Sequence, residues 1–301
     1  MNRLSYFALV LAMYWLFGSF CTLQAQVVQV QHMAYVNPYF NNPAFLGESK
    51  YKQVYASYKR QWLGIADAPS IATITYEAPL LNNLNVGGFI QNTSEGISNR
   101  IAGQMAAAYE LQLEAYQYLQ FGLSLGIAYD NFDSAALDDP NDPVVLGRAQ
   151  GALRPDGGLG IAYINRDFTF GFSLPSYLTP SPFSTRDFPD QASFKLWDYR
   201  IFSAAFDYDL NSEWTLTSKL FFHSYATFDN QLEGGLLLDY QERFNGGFFY
   251  RRDMGATVLF GLVITQAISA GYFYSFSTPS ANLPNDSHEL FIRFRLGYQV
   301  R

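Results

Sequence analysis

Three histidines, His32, His223 and His288, are the side chains best suited to metal or acid–base chemistry. None has a His, a Cys or a paired carboxylate at ligand spacing, so a metal would need long-range convergence. His223 shares its strand face with Thr215, Thr217 and Lys219, whereas Ser224 points the other way, so the adjacent pair cannot act as base and nucleophile. No GxSxG, GxGxxG or GxxxxGK[ST] pattern occurs. Asp138-Asp139-Pro140-Asn141-Asp142 gathers oxygen ligands, but Pro140 interrupts the run and the terminal Glu of a calcium loop is missing. It reads as a solvated loop tip. These residues point away from catalysis: no enzyme activity, cofactor or metal is expected.

The elements that hold these side chains follow from composition and periodicity. The chain has 301 residues, 49% hydrophobic, 18% aromatic and 15% charged. An average soluble domain has about 25% charged residues. Nineteen basic against 26 acidic side chains argue against a nucleic-acid partner. A mean hydropathy of −0.05 argues against a bundle of membrane helices. Strands with one apolar and one polar face reconcile these values. Leu119, Phe121, Leu123, Leu125, Ile127 and Tyr129 alternate with Gln120, Gly122, Ser124, Gly126 and Ala128. Leu290, Ile292, Phe294, Leu296 and Tyr298 alternate likewise with Arg293, Arg295 and Gly297.

Amphipathic segments lie near 51–60, 70–78, 84–92, 100–114, 116–130, 156–165, 167–174, 193–209, 213–222, 231–240, 243–251, 254–264, 267–276 and 287–300. Many have about ten residues, enough to cross a bilayer at a tilt. Tight turns at 114–116, 165–167, 210–212 and 241–242 alternate with longer loops at 131–155, 175–192 and 277–286. That alternation predicts an all-β fold, a transmembrane antiparallel β-barrel of about fourteen strands in outer-membrane lipid. A secreted β-sandwich is the competing architecture. In the barrel, Lys219, Arg293 and Arg295 belong to the polar face that lines the lumen.

Asn2 and Arg3 precede an almost wholly apolar run from Tyr6 to Phe20, followed by Leu23-Gln24-Ala25. The run is shorter than a membrane helix and reads as a signal peptide over 1–25. Cleavage after Ala25 removes Cys21, the only cysteine; Phe20 fits a lipoprotein box poorly. Residues 26–50 then form a periplasmic lead-in or plug, and 51–301 the barrel.

The lead-in is the most distinctive stretch: Tyr35-Val36-Asn37-Pro38-Tyr39-Phe40-Asn41-Asn42-Pro43-Ala44-Phe45-Leu46-Gly47. Two Asn-Pro pairs favour turns and extended chain and resist helix, which makes it stiff, and its aromatics make it adhesive. It suits a plug or a partner contact, or a simple cap on the first strand. Arg60-Gln61-Trp62 and, further on, Pro69 close the first hairpin as rim residues or as a contact. The Pro-rich stretch 175–183 is either an external partner surface or a loop folded inward. These motifs resemble the PorP/SprF family of Bacteroidetes outer-membrane proteins, which open with an Asn-Pro…Asn-Pro-Ala…Gly stretch and an Arg-…-Gln-Trp hairpin. The resemblance is specific over 26–80 and architectural beyond. One departure is the ending Gln299-Val300-Arg301, where many barrels finish on an aromatic residue; Tyr298 is the nearest.

The resemblance implies an outer-membrane barrel that supports type IX secretion and the surface attachment of a large secreted, adhesin-like protein, in organisms that use this system for gliding motility. It equally accommodates a core secretion barrel touching periplasmic components. The family positions Asn37, Pro38, Asn42, Pro43, Ala44, Gly47, Arg60, Gln61, Trp62 and Pro69 are candidate partner contacts. A passive porin-like channel is the third reading, motivated by the charged lumen face.

Overall fold

A computed structural model describes residues 31–49, 51–65, 67–132, 152–175, 196–226, 229–252, 254–277 and 286–297. Residues 1–30, with Cys21 and the expected signal peptide, the acidic run at 138–142, most of the Pro-rich stretch and the last four residues lie outside the described residues. Fourteen strands follow in order: β1 Lys52–Gln61, β2 Ser70–Leu81, β3 Leu84–Glu95, β4 Ser98–Glu114, β5 Gln117–Phe132, β6 Ala152–Asn165 and β7 Phe168–Pro175. Then come β8 Tyr199–Asp209, β9 Trp214–Tyr225, β10 Gln231–Tyr240, β11 Phe244–Arg251, β12 Gly255–Val263, β13 Ile268–Ser277 and β14 Ser287–Leu296. Each pairs antiparallel with its sequence neighbours, and β1 pairs β14, so the sheet is a closed barrel without edges.

One rim carries the tight turns. They place non-glycine residues in the left-handed region: Tyr116 (φ 64°), Arg166 (φ 43°), Gln241 (φ 50°) and Glu242 (φ 53°). Two successive positive φ angles at Gln241 and Glu242 are the twist-matched solution for a hairpin, used here without Asn or Gly. The other rim carries the longer connections, although β3–β4 and β11–β12 also turn tightly there. We refer to these as the short-turn and long-loop rims. Loop length is therefore a tendency of each rim, because a hairpin needs only enough residues to reverse.

Two sequence expectations shift. The segment expected at 193–209 becomes strand only at Tyr199, after a 3-10 turn at Leu196–Asp198. The sixth strand starts at Ala152, so Pro155 lies in a strand and not in the loop expected over 131–155. β7 accompanies β6 only from Gly158, so among the described residues the upper part of β6 has no strand partner on that side. Proline is tolerated where no ladder bond is lost.

The two faces of the wall separate cleanly. Met105 is 82% exposed, and Ile74, Ile90, Leu125, Phe260 and Leu290 are also exposed; all point outward. Among soluble proteins such a continuous apolar surface is not left bare, whereas a bilayer requires it. The alternate residues point inward and are buried: Thr73, Thr75 and Glu77 on β2, Gln91 on β3, Gln104 on β4 and Glu289 on β14.

Candidate functional site

The lumen is occupied. Residues Gln31–Leu46 run through it, touching strands around the whole circumference. Their backbone forms three short 3-10 turns, His32–Tyr35, Pro38–Phe40 and Pro43–Phe45. Pro38 and Pro43 each open a turn, where a fixed φ helps and no backbone donor is needed. The Asn42 carboxamide oxygen accepts the Ala44 amide at 2.9 Å, the local bond that Asn makes at turns. The Asn-Pro pairs thus build a compact thread of short 3-10 turns in place of a strand.

The lower half of the thread is held by shape. Ala44 is fully buried, and Gly122 on β5 leaves the room for it; a Cβ at Gly122 would collide with the Pro43–Ala44 peptide. A Cβ at Gly160 on β6 would strike the Asn42 carboxamide, one at Gly171 on β7 would press on the Phe45 ring, and one at Gly87 on β3 would meet Leu46. The Asn42 Nδ2 donates to the carbonyls of Ile161 and Phe172, each at 3.3 Å, and Ser173 Oγ donates to the Asn41 carbonyl at 2.7 Å. Gly47 leaves the lumen in the left-handed region (φ 82°), against Asn85 at the short-turn end of β3.

The upper half is held by polar groups. Glu289 accepts the backbone amides of His32 and Met33 at 2.8 and 2.9 Å, one oxygen for each. The Lys219 ammonium donates to the Tyr35 carbonyl at 2.7 Å. The Tyr35 ring stacks on Phe249 at 3.7 Å between centroids, nearly parallel. Gln31 exchanges hydrogen bonds with Thr73, and the Asn37 carboxamide reaches Thr75 at 3.3 Å. His32 stands 3.3 Å from the Glu289 carboxylate, yet burial, aided by the charge of Lys59, lowers its pKa to about 4, so the imidazole is neutral at pH 7. Burial raises the Tyr39 phenol as well, reinforced by Glu77.

A second buried cluster flanks this one. Tyr199 Oη lies 2.7 Å from His223 Nδ1, and His223 Nε2 lies 3.8 Å from Glu233, which accepts from Arg251 Nε at 2.7 Å. Charges so deeply buried persist only when paired and hydrogen-bonded. His223 is thereby a member of a tyrosine-to-arginine chain inside the wall. Among the described residues no three His, Cys, Asp or Glu side chains approach as metal ligands would.

The candidate residues therefore divide by place. Asn37, Pro38, Asn42, Pro43 and Ala44 lie inside the lumen, and Gly47 at its short-turn mouth. Lys219, Arg293 and Arg295 face the lumen. Lys219 grips the thread, Arg293 sits beside Tyr55, and Arg295 lies 4.9 Å over the Tyr51 ring. Gln61 is buried at the long-loop rim, its amide donating to Pro69. Trp62 takes a left-handed turn (φ 53°) and donates its amide to Asp286. Arg60 alone of the group is on the outer wall and exposed. Sequence reasoning missed Glu289 and Phe249 as partners of the thread. The glycine track left a signal: Gly87, Gly122, Gly160 and Gly171 all fall on the inward parity of their strands.

A sequence family described as "Type IX secretion system membrane protein PorP/SprF" matches residues 22–294. No curated protein matches the chain. Among solved structures, the monoaromatic hydrocarbon channel CymD aligns with TM-score 0.52 and 9% identity, covering 92% of this chain and 95% of CymD. The P. putida toluene transporter TodX aligns with TM-score 0.51 and 10% identity, covering 86% and 93%. At such identities these likenesses speak for the barrel fold alone.

Proposed function

Because the chain belongs to the type IX secretion system membrane protein family PorP/SprF, we propose that this outer-membrane barrel supports the export and surface attachment of a large secreted, adhesin-like protein. The observation that carries this reading is the fit of the Asn-Pro thread to the lumen. A wall whose glycines are shaped around its own N-terminal segment is built to be filled. A filled barrel works through its rims and its outer wall, as a docking platform does. The same observation speaks against a passive porin-like channel.

A second reading, a core secretion barrel contacting periplasmic components, draws on the short-turn rim. Glu114, Asp209, Glu213 and Glu242 are exposed there, on the side that carries the periplasmic turns in outer-membrane barrels. Purification of the native barrel in mild detergent tests both. Recovery of a giant secreted protein supports the first role; recovery of periplasmic machinery alone supports the second. Deletion of the gene should strip a large protein from the cell surface, and an unchanged surface proteome would refute the export role.

A further inference from the structure

Of the motif residues, Arg60 alone lies on the outer wall. Its register places it in a row across the outer wall at the long-loop rim: Ser70 on β2, Arg60 on β1, His288 on β14 and Tyr274 on β13 are successive cross-strand partners. The next outward row toward the membrane centre is Ala72, Tyr58, Leu290 and Tyr272, and the one after it Ile74, Ala56, Ile292 and Ala270. Tyr58 and Leu290 are exposed. Rows on one face are about 7 Å apart. The row that carries Arg60 thus stands one step above the apolar band, at the depth of lipid headgroups.

The local geometry prepares donors there. Tyr272 Oη is hydrogen-bonded to His288 Nδ1. That contact leaves Nε2 on the opposite edge of the ring as the second polar atom. Tyr272 and Tyr274 flank the imidazole, with centroids 5.8 and 5.2 Å away. The nearby Asp286 carboxylate is engaged by Tyr274 Oη at 2.6 Å. Arg60 is exposed directly across the seam where β1 closes on β14. A guanidinium beside an imidazole, framed by aromatic rings and resting on an apolar wall, matches a phosphate carried on acyl chains. We propose that Arg60 and His288 bind the phosphate of a lipid headgroup in the leaflet at the long-loop rim. The apolar rows beneath them take the chains, and Asp286 limits the affinity by its negative charge.

The test uses the full-length barrel, purified in detergent and delipidated. It is mixed with a phosphorylated glycolipid of the lipid A type, with the same glycolipid dephosphorylated, and with inorganic phosphate. Bound lipid is read by native mass spectrometry. The phosphorylated glycolipid should be retained at least tenfold better than the dephosphorylated one. The pair Arg60→Gln with His288→Gln should abolish that preference, and Asp286→Asn should strengthen retention severalfold. Arg243→Gln, at the opposite rim, should change nothing. Folding is checked by heat-modifiable gel mobility, and Arg60→Gln alone serves if the double variant does not assemble. Equal retention of both glycolipids, indifference to Arg60→Gln, or competition by millimolar inorganic phosphate would each overturn the assignment.

Discussion

Glu289 holds the upper end of the thread by two hydrogen bonds to its backbone. The two carboxylate oxygens accept the backbone amides of His32 and Met33, one each, in a buried site. Removing the carboxylate leaves both amides buried and unpaired, at about 1–3 kcal/mol each. Glu289→Ala should therefore release residues 31–37 to protease in folded, detergent-solubilised barrel, while Glu289→Gln should be milder because one oxygen still accepts. His32 adds a pH dependence. Its pKa in the folded chain, about 4, lies below the ordinary 6.5, so the unfolded chain binds more protons between those values. The contribution is complete above pH 6.5 and falls as pH drops toward 4, with a slope of at most about 1.4 kcal/mol per pH unit. Protease accessibility of the thread should rise over that window, and His32→Gln should flatten the rise.

Among the elements, β5, β6 and β7 form the half of the wall that fits the thread by shape. Gly122 and Gly160 are the contact points, where a side chain must move Asn42–Ala44 or the strand; at Gly171 it meets Ser203 Oγ first and then the Phe45 ring. Overpacking of this kind costs about 1–3 kcal/mol and more where backbone is struck. Gly160→Val should lower the thermal stability of the barrel and loosen the thread, both readable by heat-modifiable mobility. Gly103→Ala on the outward face of β4 meets only ordinary contacts at 3.7 and 3.9 Å and should be neutral. Equal effects of the two substitutions would refute the wall-and-thread fit. The wall strands themselves were readable in advance: alternation located every one, because each has lipid on one side and a polar or packed interior on the other. Their ends were less readable, as Pro155 shows, because whether a proline fits depends on where the neighbouring strand stops.

For the whole molecule, the question is whether the barrel conducts. With Tyr35, Phe40, Phe249 and Phe273 packed together inside the lumen, the intact protein should be silent in planar bilayers. Deletion of residues 31–46 should give conducting barrels wherever the variant still folds. Steady porin-like current through the intact protein would contradict the filled lumen and revive the channel reading.

The lumen face is part polar and part aromatic, with Phe249 and Phe273 turned inward, but the sequence alone determined the antiparallel barrel and its apolar outer face. Those properties depend on local alternation and on turns between neighbours in the chain. It also singled out the Asn-Pro thread and the Arg60-Gln61-Trp62 hairpin, through residue types that only special backbone geometry uses. Where those motifs end up was decided by the tertiary structure. Barrel closure brings β14 beside β1 and carries Glu289 to His32, a contact spanning 257 residues that no local pattern encodes. The same closure sets the thread inside, against inward glycines, and leaves Arg60 outside, against His288. A one-residue difference in strand parity separates Gln61 in the lumen from Arg60 at the lipid, and only the closed register gives that parity its meaning.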